Sequence, residues 1–420
     1  MENTQSLTPA IHLDWWTSKC RKLVFSTLNS MQDAYVEIQE ANSIYQLGNT
    51  KASLTAKIVV LDSSLYNDFV KGGSIGAAEA YIEHKWTSPN LTKLIQIFAR
   101  HQQQLDKVEA SISWPTKIKN KVLHLANKNS QTGSKKNILS HYDLGNHLYK
   151  EFLDPTMMYS AAIYNQQSQT LEAAQNNKLK TICDKLELKS SDHLVEIGTG
   201  WGSLAIYAAT NYGCKVTTTT ISDAQFDYAQ QQVKKQNLSK QITLLKKDYR
   251  ELTGTYDKLV SIEMIEAVGH DYLPTFFKKC DSLLNDSGKM LLQAITIADN
   301  RYDHYRKNVD FIQRYIFPGG CLPSIQVISK QFAEQSDMVI DHVEDIGLHY
   351  ARTLNQWYQN FNQNWAVLAE SGFDAQFKRL WNYYLCYCEG AFLERAISTH
   401  HITARKLKFV GRNDAKVLAY

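Results

Sequence analysis

The sequence predicts an α/β protein: a mostly parallel sheet with helices on both faces, joined to a smaller, mostly helical N-terminal domain. Three observations carry this. From about residue 141 onward, short β-branched or apolar runs alternate with amphipathic stretches, the pattern of strands laid parallel through crossover helices. The apolar run Leu194-Val195-Glu196-Ile197 ends in glycines on alternate positions, Gly198, Gly200 and Gly202, followed by a small-residue helix start. At 420 residues, the chain is too long for one ordinary core, so two domains are expected.

Residues 1–110 form the first expected domain. Ile11 to Asn29 is amphipathic, Ala52 to Val60 alternates as a strand does, and Ala77 to Trp86 and Leu91 to Gln103 carry helical spacing. Residues 111–140 form a connector, and 141–420 the larger domain. There the spacing predicts helices over 171–186, 203–211, 224–236 and 272–284. Strands are predicted over 194–198, 215–221, 242–245, 258–262 and 289–294. A long helical insertion is expected over 303–314, a last helix over 375–397, and a closing edge strand over 406–410. In such sheets ligands bind at the carboxyl ends of the strands.

Composition narrows the classes. Apolar content is that of a globular protein, no run reaches the length of a membrane span, and Met1 to Ala10 lacks the build of a signal peptide. Seven cysteines without paired spacing point to reduced thiols and a cytoplasmic location. Cys386-x-Cys388 has no second pair at ligand spacing, so a helical core position is expected there and no metal. The net charge of +4 is mild, but the connector holds Lys117, Lys119, Lys121, Lys128, Lys135 and Lys136 and no acid. Such a segment suits an anionic membrane surface or nucleic acid, and equally a solvated linker.

Glycines after a strand let the backbone turn tightly and approach a ligand, and the next helix offers its free N–H groups. The G-x-G-x-G spacing resembles the first motif of S-adenosylmethionine (SAM)-dependent methyltransferases. Thr220-Ile221 ends the second strand, where a ribose partner is expected; Asp223 stands at that spacing, and Gln225 serves as well. After the third strand, Asp248 and Tyr249 would meet the adenine, by carboxylate and by ring.

Longer motifs make the chain similar to the cyclopropane-fatty-acyl-phospholipid synthase family from about residue 70 to 410. They are His141-Tyr142-Asp143-Leu144-Gly145-Asn146, Leu153 to Ser160, Gly198 to Gly202, Asp248-Tyr249-Arg250, Ile262 to Gly269 and Tyr315 to Ser324. The resemblance implies a Rossmann-like SAM-methyltransferase sheet. It assigns Tyr159, Ser160, Glu196, Gly198, Gly200, Gly202, Thr220, Ile221, Gln225, Asp248 and Tyr249 to SAM as co-substrate.

The implied reaction passes a methyl group to the double bond of an unsaturated phospholipid acyl chain. The resulting carbocation must be shielded from water until a base removes a proton. Glu266 matches the family's carboxylate, Tyr350 its tyrosine and Ile295 its backbone contact. For Glu266 a helix-start carboxylate, and for Tyr350 a core tyrosine, are the structural alternatives. Ring-closing members hold bicarbonate with a cysteine and a histidine as well, where this chain has Ala161 and Gln293. Gln293 donates through its amide but carries no charge, which puts bicarbonate and ring closure in doubt. Cys388 matches a cysteine sometimes assigned a catalytic role; a buried structural cysteine near the site is expected instead.

The insertion, 302–323, would help wall an acyl channel. Peripheral contact with an anionic inner-membrane surface, a homodimer and no nucleic-acid partner complete the expectations. The alternatives are a fatty-acyl C-methyltransferase that leaves a methyl or methylene branch or a methylated diene, and a non-catalytic lipid- or SAM-binding protein.

Overall fold

The computed structural model describes residues 13–106 and 145–411, so the lysine-bearing connector lies outside the described residues. The chain packs as two units. Residues 366–396 join the N-terminal one, and the remainder of the C-terminal part forms the other.

In the first unit, β1 (Ala34–Glu40) pairs antiparallel with β2 (Ser43–Gly48) and parallel with β3 (Leu54–Val60), and β4 (Trp86–Thr87) closes a sheet ordered β2-β1-β3-β4. The unit thus adds a four-stranded sheet to the helices that make up most of it. Along β1, Ala34, Val36 and Ile38 turn inward between more exposed neighbours, and β2 is a largely exposed edge that buries only Leu47. Around the sheet stand the helices Trp15–Asn29, Leu65–Ile82 and Leu91–Arg100.

The helix Ala375–Leu393, placed by sequence in the larger domain, belongs here because its apolar positions find their partners here. Tyr383 packs on Tyr81 at 5.5 Å, and Gly390 lies so close to Ile95 that a Cβ would stand 2.7 Å from its Cγ2. Glu389 accepts from the Thr92 hydroxyl at 2.8 Å, and Glu394 from Arg100 in a two-pronged pair.

The second unit holds seven strands in the order β10-β11-β9-β8-β5-β6-β7. These are β5 (His193–Ile197), β6 (Lys215–Thr219), β7 (Ile242–Leu245), β8 (Tyr256–Ile262), β9 (Leu284–Ile297), β10 (Met338–Asp345) and β11 (Ile397–Lys406). β7, β6, β5, β8 and β9 run parallel; β11 returns antiparallel between β9 and β10. The chain's strand order reverses at β5, so the glycine loop opens at the switch point where such sheets take ligands.

Helices Leu171–Lys185 and Ser203–Tyr212 pack one core, with Leu179, Ile182, Leu204 and Ala208 against Leu194 and Val216. Helices Leu273–Leu283 and Ile325–Gln335 pack a second, with Phe276, Phe277, Ile328 and Phe332 against Val195 and Leu292.

Three details differ from the sequence reading. The insertion is two short helices, Asp299–Tyr305 and Phe311–Tyr315, because Asp310 caps the second with a reciprocal Asp310–Gln313 box. The last strand is 397–406, not 406–410, and it is interior. The outer edge is β10, whose mostly exposed face gives little sequence pattern.

Candidate active site

The glycine loop is held open by backbone bonds from Gly198 and Thr199 N–H to the Thr219 carbonyl, at 3.1 and 3.0 Å. Gly198, Gly200 and Gly202 adopt φ of +102°, +53° and +93°, the region that L side chains avoid. A Cβ on Gly200 would meet no protein atom within 4 Å, so this backbone faces open space. Gly202 starts the helix Ser203–Tyr212 without a side-chain cap, which leaves N–H donors for an incoming ligand. Glu196 sits behind the loop with Oε2 accepting from the Thr218 hydroxyl at 2.6 Å, and burial pushes its carboxyl up to about 8.

The next strand ends carry the remaining residues expected at SAM. After β6, Thr220 is buried, Ile221 half-buried, and the Thr220 hydroxyl donates to Gln225 Oε1 at 3.0 Å. Gln225 Nε2 keeps no partner among the described residues, whereas Asp223 is exposed and ion-paired with Lys246. Gln225 is thus the better placed of the two for a ribose. After β7, Asp248 accepts from Arg250 through Nε (2.8 Å) and Nη2 (2.7 Å), so its carboxylate is already braced. Tyr249 stands edge-on to Phe276 at 5.5 Å. A site with an open glycine turn, free helix N–H groups and an amide donor fits SAM.

Beyond β8 the structure gathers the expected catalytic positions, but around two carboxylates. Glu263 Oε1 accepts from the Ala161 N–H (3.0 Å) and Gln293 Nε2 (2.6 Å), and its Oε2 from the Tyr350 hydroxyl (2.9 Å). Glu266 takes only the Ile295 N–H, at 2.5 Å on Oε1, and its Oε2 is buried without a partner. The sequence reading named Glu266 as the carboxylate of this group and did not include Glu263. The available signal was an acid directly after a buried strand, in Ile262-Glu263-Met264.

Glu263 has φ +46°, a strained value for a side chain with a Cβ, held by its own N–H to the Gln293 carbonyl at 2.8 Å and by those donors. Burial pushes both carboxyls upward. At Glu263 the donors and the Lys178 ammonium work against it, while Glu266, with one donor and the Glu263 charge beside it, reaches about 8. Of the pair, Glu263 is therefore the carboxyl that ionises first.

A further polar layer supports this pair. Lys178, fully buried and pushed down to about 8 by desolvation, donates to the Ser160 hydroxyl at 2.6 Å. The Ser160 side chain is thus engaged inward, and Tyr159 stands in an aromatic group instead. Its ring lies 5.2 Å from Trp357 and 6.4 Å from Phe317 of the insertion, and Trp357 lies 5.9 Å from Tyr350. Tyr350 is thus no mere core tyrosine; it links the carboxylates to this wall. Within the insertion, Phe311 and Ile316 are buried in the protein, and the Cys321 N–H donates to the Glu266 carbonyl at 2.8 Å. Cys388 is half-buried rather than buried, and it belongs to the first unit, on the helix Ala375–Leu393.

Residues 129–402 match the family described as mycolic acid cyclopropane synthetase. Tuberculostearic acid methyltransferase UfaA1 of Mycobacterium tuberculosis is 36% identical over 327 residues, 76% of either chain. Cyclopropane-fatty-acyl-phospholipid synthase of Escherichia coli is 35% identical over 348 residues, 82% of this chain and 86% of that one. Among solved structures, the mycolic acid cyclopropane synthase CmaA1 with S-adenosylhomocysteine (SAH) and CTAB is 29% identical. It superposes with a TM-score of 0.61, covering 65% of this chain and 98% of the other. With this sheet, this glycine turn and these relatives, the chain belongs to the mycolic acid cyclopropane synthetase family and is a SAM-dependent methyltransferase.

Proposed function

We propose that this enzyme transfers a methyl group from SAM to a double-bond carbon of an unsaturated fatty acyl chain carried by a phospholipid. The observation that carries the reading is the wall Tyr350–Trp357–Tyr159–Phe317 running from the paired carboxylates into the insertion. An alkene is a weak nucleophile, and the carbon left positive after transfer needs π faces and an anion without water. SAM, when bound, supplies the electrophilic methyl on a sulfonium. Glu266 Oε2, buried and unpartnered, is the group a cation would meet, and a positive charge there draws the carboxyl into its ionised form. Tyr350 orients Glu263, and the aromatic wall excludes water.

The acyl chains reside in membranes, and no helix of the described residues is long and apolar enough to cross one. A peripheral approach is supported by Trp15 and Trp16, 72% and 43% exposed on one helix with Lys19 and Lys71 over their rings. Indoles and lysines together suit the headgroup layer of an anionic leaflet. The connector lysines add to this by sequence.

The test is incubation with 13C-methyl SAM and vesicles of an unsaturated phospholipid, followed by mass spectrometry and NMR of the released acyl chains. One added labelled carbon at the former double bond is expected, as a ring, a methylene branch or a methyl branch. SAM binding without labelled lipid would make the protein a binder and end the reading.

A further inference from the structure

The donors expected to hold a bicarbonate ion already have an anion of the protein's own. Ala161 N–H, Ile295 N–H and the Tyr350 hydroxyl have a single hydrogen each, and all three are given to Glu263 or Glu266. The Gln293 amide is fixed as well. Its Nε2 points to Glu263, because its Oε1 accepts from His401 Nε2 at 2.8 Å on the neighbouring strand. His401 Nδ1 in turn faces the Lys185 ammonium at 3.0 Å, which keeps that imidazole neutral with its proton on Nε2. Among the described residues these donors are thus engaged, and a second oxyanion would lie beside the charge of Glu263.

We propose that Glu263 is itself the base of this reaction, its side-chain carboxylate standing where the family's ring-closing members are expected to use bicarbonate, so that turnover needs no bicarbonate. The inference rests on the reading that an acyl double bond is methylated. In the balanced step, the sulfonium C–S bond breaks as a C–C bond forms to one alkene carbon, leaving the other positive. A proton then passes to Glu263 Oε2, which accepts one hydrogen bond where Oε1 accepts two and so keeps a lone pair. Taken from the new methyl group, that proton leaves its C–H electron pair to close a ring. Taken from the adjacent chain carbon, it leaves the pair as a new double bond. Glu263 returns the proton to solvent as product leaves.

Two variants of the full chain test it. Glu263→Gln keeps the shape and loses the base. Glu263→Gly suits the +46° φ and empties the cradle. Binding of 13C-bicarbonate to the SAH complexes is followed by NMR, which needs no lipid. Turnover is measured in carbonate-depleted buffer with and without added bicarbonate.

The expected result is no bicarbonate binding and no response in the wild type. Turnover should fall about a hundredfold or more in Glu263→Gln, with SAH affinity unchanged. Glu263→Gly should bind bicarbonate and gain at least about tenfold in rate from it. Bicarbonate binding or stimulation in the wild type overturns the proposal, as does near-wild-type turnover of Glu263→Gln or a Glu263→Gly that binds no bicarbonate. A wild type that methylates no unsaturated phospholipid refutes the substrate reading instead, and the bicarbonate-binding contrast still decides what occupies the cradle.

Discussion

Replacing Gly200 by alanine should separate the loop's binding role from its backbone role. Gly200 has φ +53°, and its missing Cβ faces open space, so two effects are expected. The left-handed conformation penalises a Cβ by about 1–2 kcal/mol. In a unit of this size that lowers Tm by roughly 2–8 °C. The methyl also projects where no protein atom lies within 4 Å, into the volume assigned to SAM. Gly213→Ala is the matched control. Gly213 has φ +70° and an ordinary 3.5 Å Cβ contact to Ser190, and it closes the far end of the same helix. Both variants should lose similar stability, but only Gly200→Ala should lose affinity. With SAH at a hundred times its wild-type Kd, ligand adds about 2.7 kcal/mol, or roughly 5–11 °C. A tenfold loss halves that increment, to about 1.4 kcal/mol. Thermal unfolding with and without SAH, backed by calorimetry, measures this. A Gly200→Ala increment equal to that of Gly213→Ala would remove the loop from the SAM site.

Three further outcomes are expected. Glu266→Gln should keep SAH affinity and lose about a hundredfold in turnover, since only the ionised carboxyl can meet a cation; the kcat measured beside the Kd tests this. The same variant should flatten the pH dependence of stability. A carboxyl raised from 4.5 to about 8 makes the folded state bind more protons in that window, so stability falls as pH rises. The fall is at most roughly 2.7 kcal/mol between pH 5.5 and 7.5, and equal Tm slopes in wild type and variant would refute it. Trp15→Ala with Trp16→Ala should weaken binding to anionic vesicles about tenfold or more, read by sedimentation, and unchanged binding would move the contact elsewhere.

The parallel half of the large sheet was legible because its strands are buried on both faces, so each reads as a short apolar or β-branched run between turn residues. The glycine loop followed from spacing; for the ribose, spacing pointed to Asp223, and Gln225 and Asp248 entered the expected SAM set through the family resemblance. What escaped was set by tertiary partners. β10 and β2 lie at sheet edges and keep exposed faces, so neither shows a clean alternation. The Ala375–Leu393 helix announces an apolar face without saying which unit covers it. Glu263 looked like one acid of two. That it is the better hydrogen-bonded carboxylate depends on Ala161, Gln293 and Tyr350, distant in sequence, arriving together.

The chain's return to the first unit through residues 366–396 has a consequence for its synthesis. The N-terminal unit cannot be finished when its first hundred residues leave the ribosome. Trp381, Tyr383 and Tyr384, buried there, arrive only after most of the catalytic sheet has been translated, and β11 follows later still. Neither unit can thus be completed before the helix Ala375–Leu393 and β11 have been made. Removing the N-terminal unit by truncation would leave the Ala375–Leu393 helix with its aromatic face uncovered in the middle of the remaining chain. A minimal catalytic fragment would need that helix replaced by a short loop between Trp365 and Ile397.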